Sequence, residues 1–224
     1  GPALRIGLPD QTPAHDLGDE LEMLRRRGIP VISCPDRSAG IAEAARLGAQ
    51  LVLVDGGIGN PGIRRDLSLM CIDGDWPRGR GPAPVGTARL PWAAVHAAQA
   101  LWVRGPLPED LPDVPTVQLQ MQPHSWLRQG ESLPLDAHSG PVHAAAGIAR
   151  PERFVCTLMQ LGLQISSLSL SRDHGELRAL PPGCVVTEKD AARLPPSADI
   201  WALRVEPKLT GEQALIDLIS ALLK

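Results

Sequence analysis

Apolar positions along the first hundred residues alternate between two periods. Leu17, Leu21 and Leu24 recur at helical spacing in DLGDELEMLRRRG (16–28), and Gly28 supplies a stop. DRSAGIAEAARLG (36–48) reads as a second helix, ending in Gly48. Between and around these lie short β-rich runs: LRIGL (4–8), IPVISC (29–34), QLVLVD (50–55) and LSLMCID (67–73). The run 50–55 is apolar almost throughout, which predicts a strand covered on both faces. Covered strands separated by helices predict a parallel sheet.

The rhythm breaks at GDWPRGRGPAPVGTARL (74–90), a Gly-, Pro- and Arg-rich loop. PWAAVHAAQA (91–100) predicts a helix opened by Pro91, and LWVRG a short strand. Trp92, Val95, Leu101 and Trp102 give 91–103 two readings, a core-facing helix or one meeting a membrane interface. Four prolines in GPLPEDLPDVPT (105–116) predict a linker. Strands follow at 117–121 and 141–147, a helix at 151–161, and strands at 164–170, CVVTE (184–188) and 200–205. The chain ends in an amphipathic helix over 211–223 that is expected to pack Leu215, Leu218, Ile219 and Leu222 on the sheet of the second lobe. The expected architecture is α/β in two lobes, 1–105 and 117–224, joined by a Pro-rich linker at 106–116.

Composition narrows the function classes. The 224 residues carry a net charge of −3, which gives no basic surface for nucleic acid. No run approaches the roughly 18 apolar residues of a membrane span. Cys34, Cys71, Cys156 and Cys184 are scattered through apolar segments without a CxxC, so they are expected as reduced core thiols in a cytoplasmic protein.

Several side chains are candidates for chemistry, each with a plainer alternative. Asp55 ends an apolar strand and precedes Gly56 and Gly57. Such an acid holds a metal at the carboxyl edge of many parallel sheets, and it also ends strands in ordinary turns. Asp19 and Glu20 open a helix, where acids favour the positive end of the dipole. They equally suit a general base with a metal-associated neighbour. Asp173-His174 follows a strand in a polar turn, as an exposed pair or a proton-handling one. In TEKDAARL, Thr187 through Asp190 read as a capped helix start. Arg78, Arg80 and Arg89 sit in the long loop, either solvated or gripping phosphate. No GxxxxGK[ST] and no GxGxxG following a strand occurs in these residues, so a possible metal acid lacks a phosphate cradle.

Four segments, in order, resemble the lipid A 4'-kinases (tetraacyldisaccharide 4'-kinases). AGIARPERF (146–154) followed by TLMQLG is the most specific. VVTEKDAARLP (185–195) is similar to that family's TEKDA segment. LGDELEMLRRRGIPVISCPDR and LVLVDGGIGNPGIRRDLSLMCIDG are similar to its GDE and DDG segments. The resemblance implies a P-loop-kinase-like parallel sheet with helices plus a second, smaller α/β lobe. It also implies ATP and Mg2+ as cofactors and a lipid A disaccharide precursor as acceptor. The place of work it implies is peripheral, on the inner face of the cytoplasmic membrane. Carried over residue by residue, Asp19 matches the catalytic acid, His174 its partner, and Glu20 and Asp55 the metal-associated acids. Arg37, Arg78 and Arg80 are candidates for contact with substrate or phosphate.

The departures define a second expectation. Gly56 stands where the family has a second acid, Gly59-Asn60 where it has a Gln-containing pair, and nothing matches its P-loop. Phosphoryl transfer depends mostly on positioning and charge stabilisation, so these losses predict impaired catalysis. The chain is then expected to be a kinase fragment or a shortened, divergent relative. The alternative is a non-catalytic relative that binds a glycolipid or a protein partner in an inter-lobe cleft.

Overall fold

The computed structural model describes residues 5–8, 17–74, 90–172, 177, 180–195 and 197–224. The chain divides into two compact units, residues 1–35 with 122–206 and residues 36–121 with 207–224. This differs from the expected split into 1–105 and 117–224. The reason lies in two strands, β5 (Thr116–Arg128) and β10 (Ile200–Thr210), each of which begins in one unit and ends in the other. The Pro-rich segment is likewise more than a linker, because Leu111 and Val114 pack on a core cluster of the second unit.

In the unit formed by 36–121 and 207–224, β3 (Leu69–Asp73), β4 (Ala100–Arg104) and the start of β5 pair in parallel. Alternation along β4 serves both faces of this sheet. Leu101 and Val103 join Val95 and Ala98 on one face, while Ala100 joins Val117 and Leu215 on the other. Leu215, Leu218 and Ile219 come from α5 (Gln213–Leu222), the last helix, and pack beside Leu67, Leu69 and Ala100 rather than on the sheet of the expected second lobe, while Leu222 is exposed. The helix expected from Pro91 is shorter, a 3-10 segment over Trp92–Ala97. Val95 in it is fully buried and the Trp92 indole donates to Asp110 at 2.8 Å, so this segment faces protein. No helix among the described residues is long and apolar enough to cross a membrane.

The expected strand at 50–55 does not form. Residues 51–54 pair with no described strand, and Leu53 is 86% exposed. A strand apolar on both faces is stable only with neighbours on its edges and cover above and below. The described residues provide neither. α2 (Arg37–Arg46), by contrast, forms as predicted, with the Asp36 carboxylate accepting from the Ser38 and Ala39 amides.

In the unit formed by 1–35 and 122–206, β7 (Pro141–Ala146) pairs in parallel with β8 (Gln164–Leu170) and with β9 (Cys184–Thr187), which pairs in parallel with β10. A hairpin partner, β6 (Glu131–Leu133), adds antiparallel to β5. Val142, Ala144 and Ala146 bury one face of β7 against Phe154 and Leu158 of α3 (Pro151–Gln160). Pro151 opens that helix, where its missing N–H costs nothing. β1 (Arg5–Gly7) and β2 (Val31–Ser33) form a separate antiparallel pair. Between them runs α1 (Asp19–Arg26), closed by Gly28 at φ +81° with the Ile29 amide reaching back to the Leu24 carbonyl at 3.1 Å.

All four thiols are unpaired, but only Cys184 is a core residue, and its burial pushes its pKa up to about 11. Cys71 and Cys156 are exposed and Cys34 half-buried, contrary to the expectation of four core thiols. Met70 and Ile72 on β3 and Phe154 and Leu158 on α3 pack inward, which leaves Cys71 and Cys156 outward, while Cys34 lies just past the end of β2.

Trp126 is fully buried, with His138 and Trp201 edge-on to it at 5.5 and 6.2 Å between ring centroids. The His138 Nε2 atom is buried without a hydrogen-bond partner among the described residues. Burial lowers the His138 pKa, a backbone hydrogen bond at Ser139 opposes this, and the Arg128 charge lowers it further. A depressed imidazole means that the unfolded chain takes up its proton first. The stabilisation is therefore intact above the ordinary value of 6.5 and is lost as pH falls toward the lower folded value. The melting temperature is expected to drop between pH 7.5 and pH 5.5 in the native chain and to drop less in His138→Phe. Equal slopes in the two proteins would refute this account.

Candidate active site

Three of the recognised segments converge within the unit formed by 1–35 and 122–206. α4 (Glu188–Ala191) starts where β9 ends, so Thr187 emerges at the carboxyl edge of the parallel strands. The Thr187 hydroxyl accepts from the Asp190 amide at 3.1 Å, which closes the cap predicted for this helix start. The same hydroxyl donates to the Asp190 carboxylate at 2.6 Å. Asp190 has no solvent exposure. Its oxygens also accept from the Gly147 amide at 3.1 and 3.2 Å and from the Arg193 guanidinium. Arg193 in turn donates to the Gly147 carbonyl at 3.2 Å. The TEKDA segment thus clamps the glycine of AGIARP through both of its peptide groups.

α1 packs on α4 through charge. Its first turn presents Asp19, Glu20 and Glu22, and its last turn Arg25 and Arg26. This order complements the helix dipole. The Arg26 guanidinium donates to the Ala191 and Ala192 carbonyls, both at 3.3 Å, capping the end of α4. Arg27 pairs with Glu188 and donates to the Val205 carbonyl at 3.1 Å. Arg204 of β10 completes a triad, with Nη2 at 2.9 Å from the same Glu188 carboxylate. The hydrogen bond to Glu188 raises the Arg27 pKa, and hydrogen bonding to Arg25 lowers that of buried Glu22.

These contacts deliver Asp19 to the start of α4. Its side chain is only 8% exposed. Lys189 Nζ lies 3.9 Å from Asp19 Oδ2 and Arg193 Nε 3.7 Å from the same atom. Asp19 Oδ1 accepts from the Glu20 amide at 2.9 Å, which fixes the carboxylate plane locally. Lys189 also reaches Glu20, at 3.0 Å from Oε1. Neither Lys189 nor Arg193 stands out in the sequence as a partner of the acid pair. The capping pattern explains the TEKDA charges locally, and nothing in their spacing reveals a contact with a helix far upstream.

The other candidates are placed as follows. Asp55 is in the unit formed by 36–121 and 207–224, exposed in a turn where Gly56 adopts φ +65°. Arg65 braces that turn through the Gly57 and Asn60 carbonyls at 3.0 and 2.8 Å. Arg37 is exposed at the first position of α2. His174, Arg78, Arg80 and Arg89 lie outside the described residues. Among the described residues no group of three or more His, Cys, Asp or Glu side chains could hold a metal ion. The Lys189 ammonium reaches both Glu20 and Asp19, at 3.0 and 3.9 Å. Among the described residues, the donor set at Asp19 and Glu20 does not fit a magnesium centre.

A mixed, mainly parallel sheet with helices, and an acid pair on α1 held by cations of α4, define an α/β protein. The fold agrees with the crystal structure of LpxK from Aquifex aeolicus in complex with ATP. Against that structure the TM-score is 0.84 at 21% identity, covering all of this chain and 76% of the other. The chain belongs to the tetraacyldisaccharide-1-P 4'-kinase family, whose model matches residues 4–224. It is 31% identical over 219 residues to the tetraacyldisaccharide 4'-kinase of Methylobacterium sp. (strain 4-46), covering 91% of this chain and 66% of the relative. It is 33% identical over 214 residues to that of Caulobacter vibrioides (strain NA1000 / CB15N), covering 87% of this chain and 62% of the relative. The chain therefore spans about two thirds or less of the length of these relatives.

Proposed function

We propose that this chain carries the acceptor-activating part of a lipid A 4'-kinase. Its substrate class is a tetraacylated disaccharide precursor with a free sugar hydroxyl. The observation that supports this reading is the convergence of three family segments on Asp19. A general base must sit in fixed orientation within hydrogen-bond reach of the hydroxyl it deprotonates. Asp19 has the burial and the fixed plane for that role, and the family resemblance supports His174 for the part of its partner. Phosphoryl transfer passes through a loose transition state, so a base here orients the nucleophile more than it pulls the proton away. Two flanking cations are then compatible with the task. They also supply positive charge where phosphate oxygens approach. Arg37, Arg78 and Arg80 belong to the same proposal as contacts for phosphate or substrate, with the work done at the surface of the inner membrane.

The chain taken alone is proposed to be impaired in transfer, because it contains no Walker-type lysine and glycine loop for the β- and γ-phosphates. Incubation with radiolabelled ATP, Mg2+ and a disaccharide precursor is expected to give no labelled lipid above background. Precursor binding by the same protein should be measurable and weakened by Asp19→Asn. Ready turnover would overturn the impairment, and absence of any precursor binding would overturn the assignment of the acceptor site. A second reading, a non-catalytic relative binding a glycolipid or a protein partner, is favoured by Gly56, which stands where the family has an acid. Calorimetry with ATP–Mg2+ separates the two, since magnesium-dependent ATP affinity supports the kinase and its absence the binding protein.

A further inference from the structure

We propose that Lys189 is a positioning residue serving as a built-in counter-ion for the Asp19–Glu20 pair. It occupies the place a divalent cation would take between the two carboxylates. Its ammonium is 3.0 Å from Glu20 Oε1 and 3.9 Å from Asp19 Oδ2, with only 18% of its side chain exposed. Adjacent acids at a helix start carry two charges in one turn and need compensation, from a metal or from cationic side chains. The compensation here comes from α4, because Arg193 adds a second cation to Asp19 at 3.7 Å. The lysine is itself held in register. Asp190, one residue on, is locked to Gly147 and Thr187, and Arg26 ties the end of α4 to α1. A divalent ion entering between Asp19 and Glu20 would have to displace an ammonium anchored at both ends of its helix. The pair is thereby kept closed to metal, and Asp19 is kept in one orientation without one.

The functional meaning of this arrangement rests on Asp19 as the proton acceptor, but the ion pairs do not. The test therefore uses metal alone. Mn2+, as a stand-in for Mg2+, is titrated into the full chain and followed by the paramagnetic resonance of the free ion. In the native protein, Glu20→Gln is expected to leave Mn2+ affinity unchanged. Glu20 is 58% exposed, so this variant folds. Lys189→Met is expected to raise Mn2+ affinity by about tenfold or more, as carboxylate oxygens no longer held by the ammonium begin to act as ligands. Adding Glu20→Gln to Lys189→Met should abolish that gain, and Lys189→Arg should behave like the native chain. A fall in native affinity on Glu20→Gln would show the pair already holding metal, and no gain in Lys189→Met would show the lysine excluding nothing. Either result overturns the proposal. Neither depends on precursor binding, so failure of the kinase reading and failure of this one are distinguishable.

Discussion

Asp190→Ala is expected to destabilise the unit containing it by about 3 kcal/mol or more, the largest effect of any single charged-residue truncation among the described residues. The carboxylate has no solvent exposure and satisfies three donors: the Gly147 amide, the Thr187 hydroxyl and the Arg193 guanidinium. Removing it leaves a buried amide without an acceptor, which alone costs about 1–3 kcal/mol. It also leaves an arginine whose charge had been compensated. Arg193 keeps 23% of its side-chain surface, so water offsets part of that second loss. Asp190→Asn should fall between, since one amide oxygen still receives the Gly147 N–H while the charge is gone. Urea unfolding followed by the fluorescence of buried Trp126 measures both. A loss below about 1 kcal/mol for Asp190→Ala would mean that the Gly147 loop rearranges to satisfy itself. The variant also bears on function, because the same aspartate holds Arg193 where it meets Asp19. Precursor binding should weaken together with stability in Asp190→Ala.

The same residue shows how far sequence reasoning reaches. Thr187 as a cap and a short helix from Glu188 follow from local chemistry, and both form. The strands at 67–73, 164–170 and 184–188 and the helices at 151–161 and 211–223 announced themselves because each has one strong period and a clear stop. Two failures have physical causes. The run 50–55 satisfies every local criterion for a covered strand, but pairing is non-local and the described residues supply no partner. The boundaries of the compact units escaped because β5 and β10 are longer than their apolar cores. Polar positions such as Gln122, His124 and Glu206 continue a strand that hydrophobic patterning ends early. At the site, Asp19 and Glu20 stood out as candidates through family segments, whereas the contacts of Lys189, Arg193 and Arg204 with acids far along the chain come from the tertiary fold alone.

The Glu188 triad allows a sharper test of what a buried ion pair contributes. Glu188→Ala is expected to cost about 2–4 kcal/mol, because it leaves Arg27 and Arg204 without their shared carboxylate and with like charges facing each other. The carboxylate is only 9% exposed, and the two arginines retain 24% and 21% of their side-chain surface. That partial access to water places the estimate below the full cost of an isolated interior charge. Most of the loss is thus expected to be the penalty of stranded partners rather than the worth of the triad itself. Replacing all three at once, as Arg27→Met, Glu188→Leu and Arg204→Met, should then recover most of the stability lost in the single variant. If the triple variant is no more stable than Glu188→Ala, the network is net favourable and the desolvation argument fails for this site. A functional readout separates stability from positioning. Arg27 belongs to the segment that follows α1, and its bonds to Glu188 and the Val205 carbonyl fix where that helix ends. An apolar triad of similar volume can hold α1 in place by packing, but it cannot reproduce the directional bond to Val205. The triple variant should therefore regain its melting temperature while Asp19 and Lys189 sit in looser register. Weaker precursor binding in a fully stable protein is the signature of that state, and native-like binding would show that packing alone orients the acid pair.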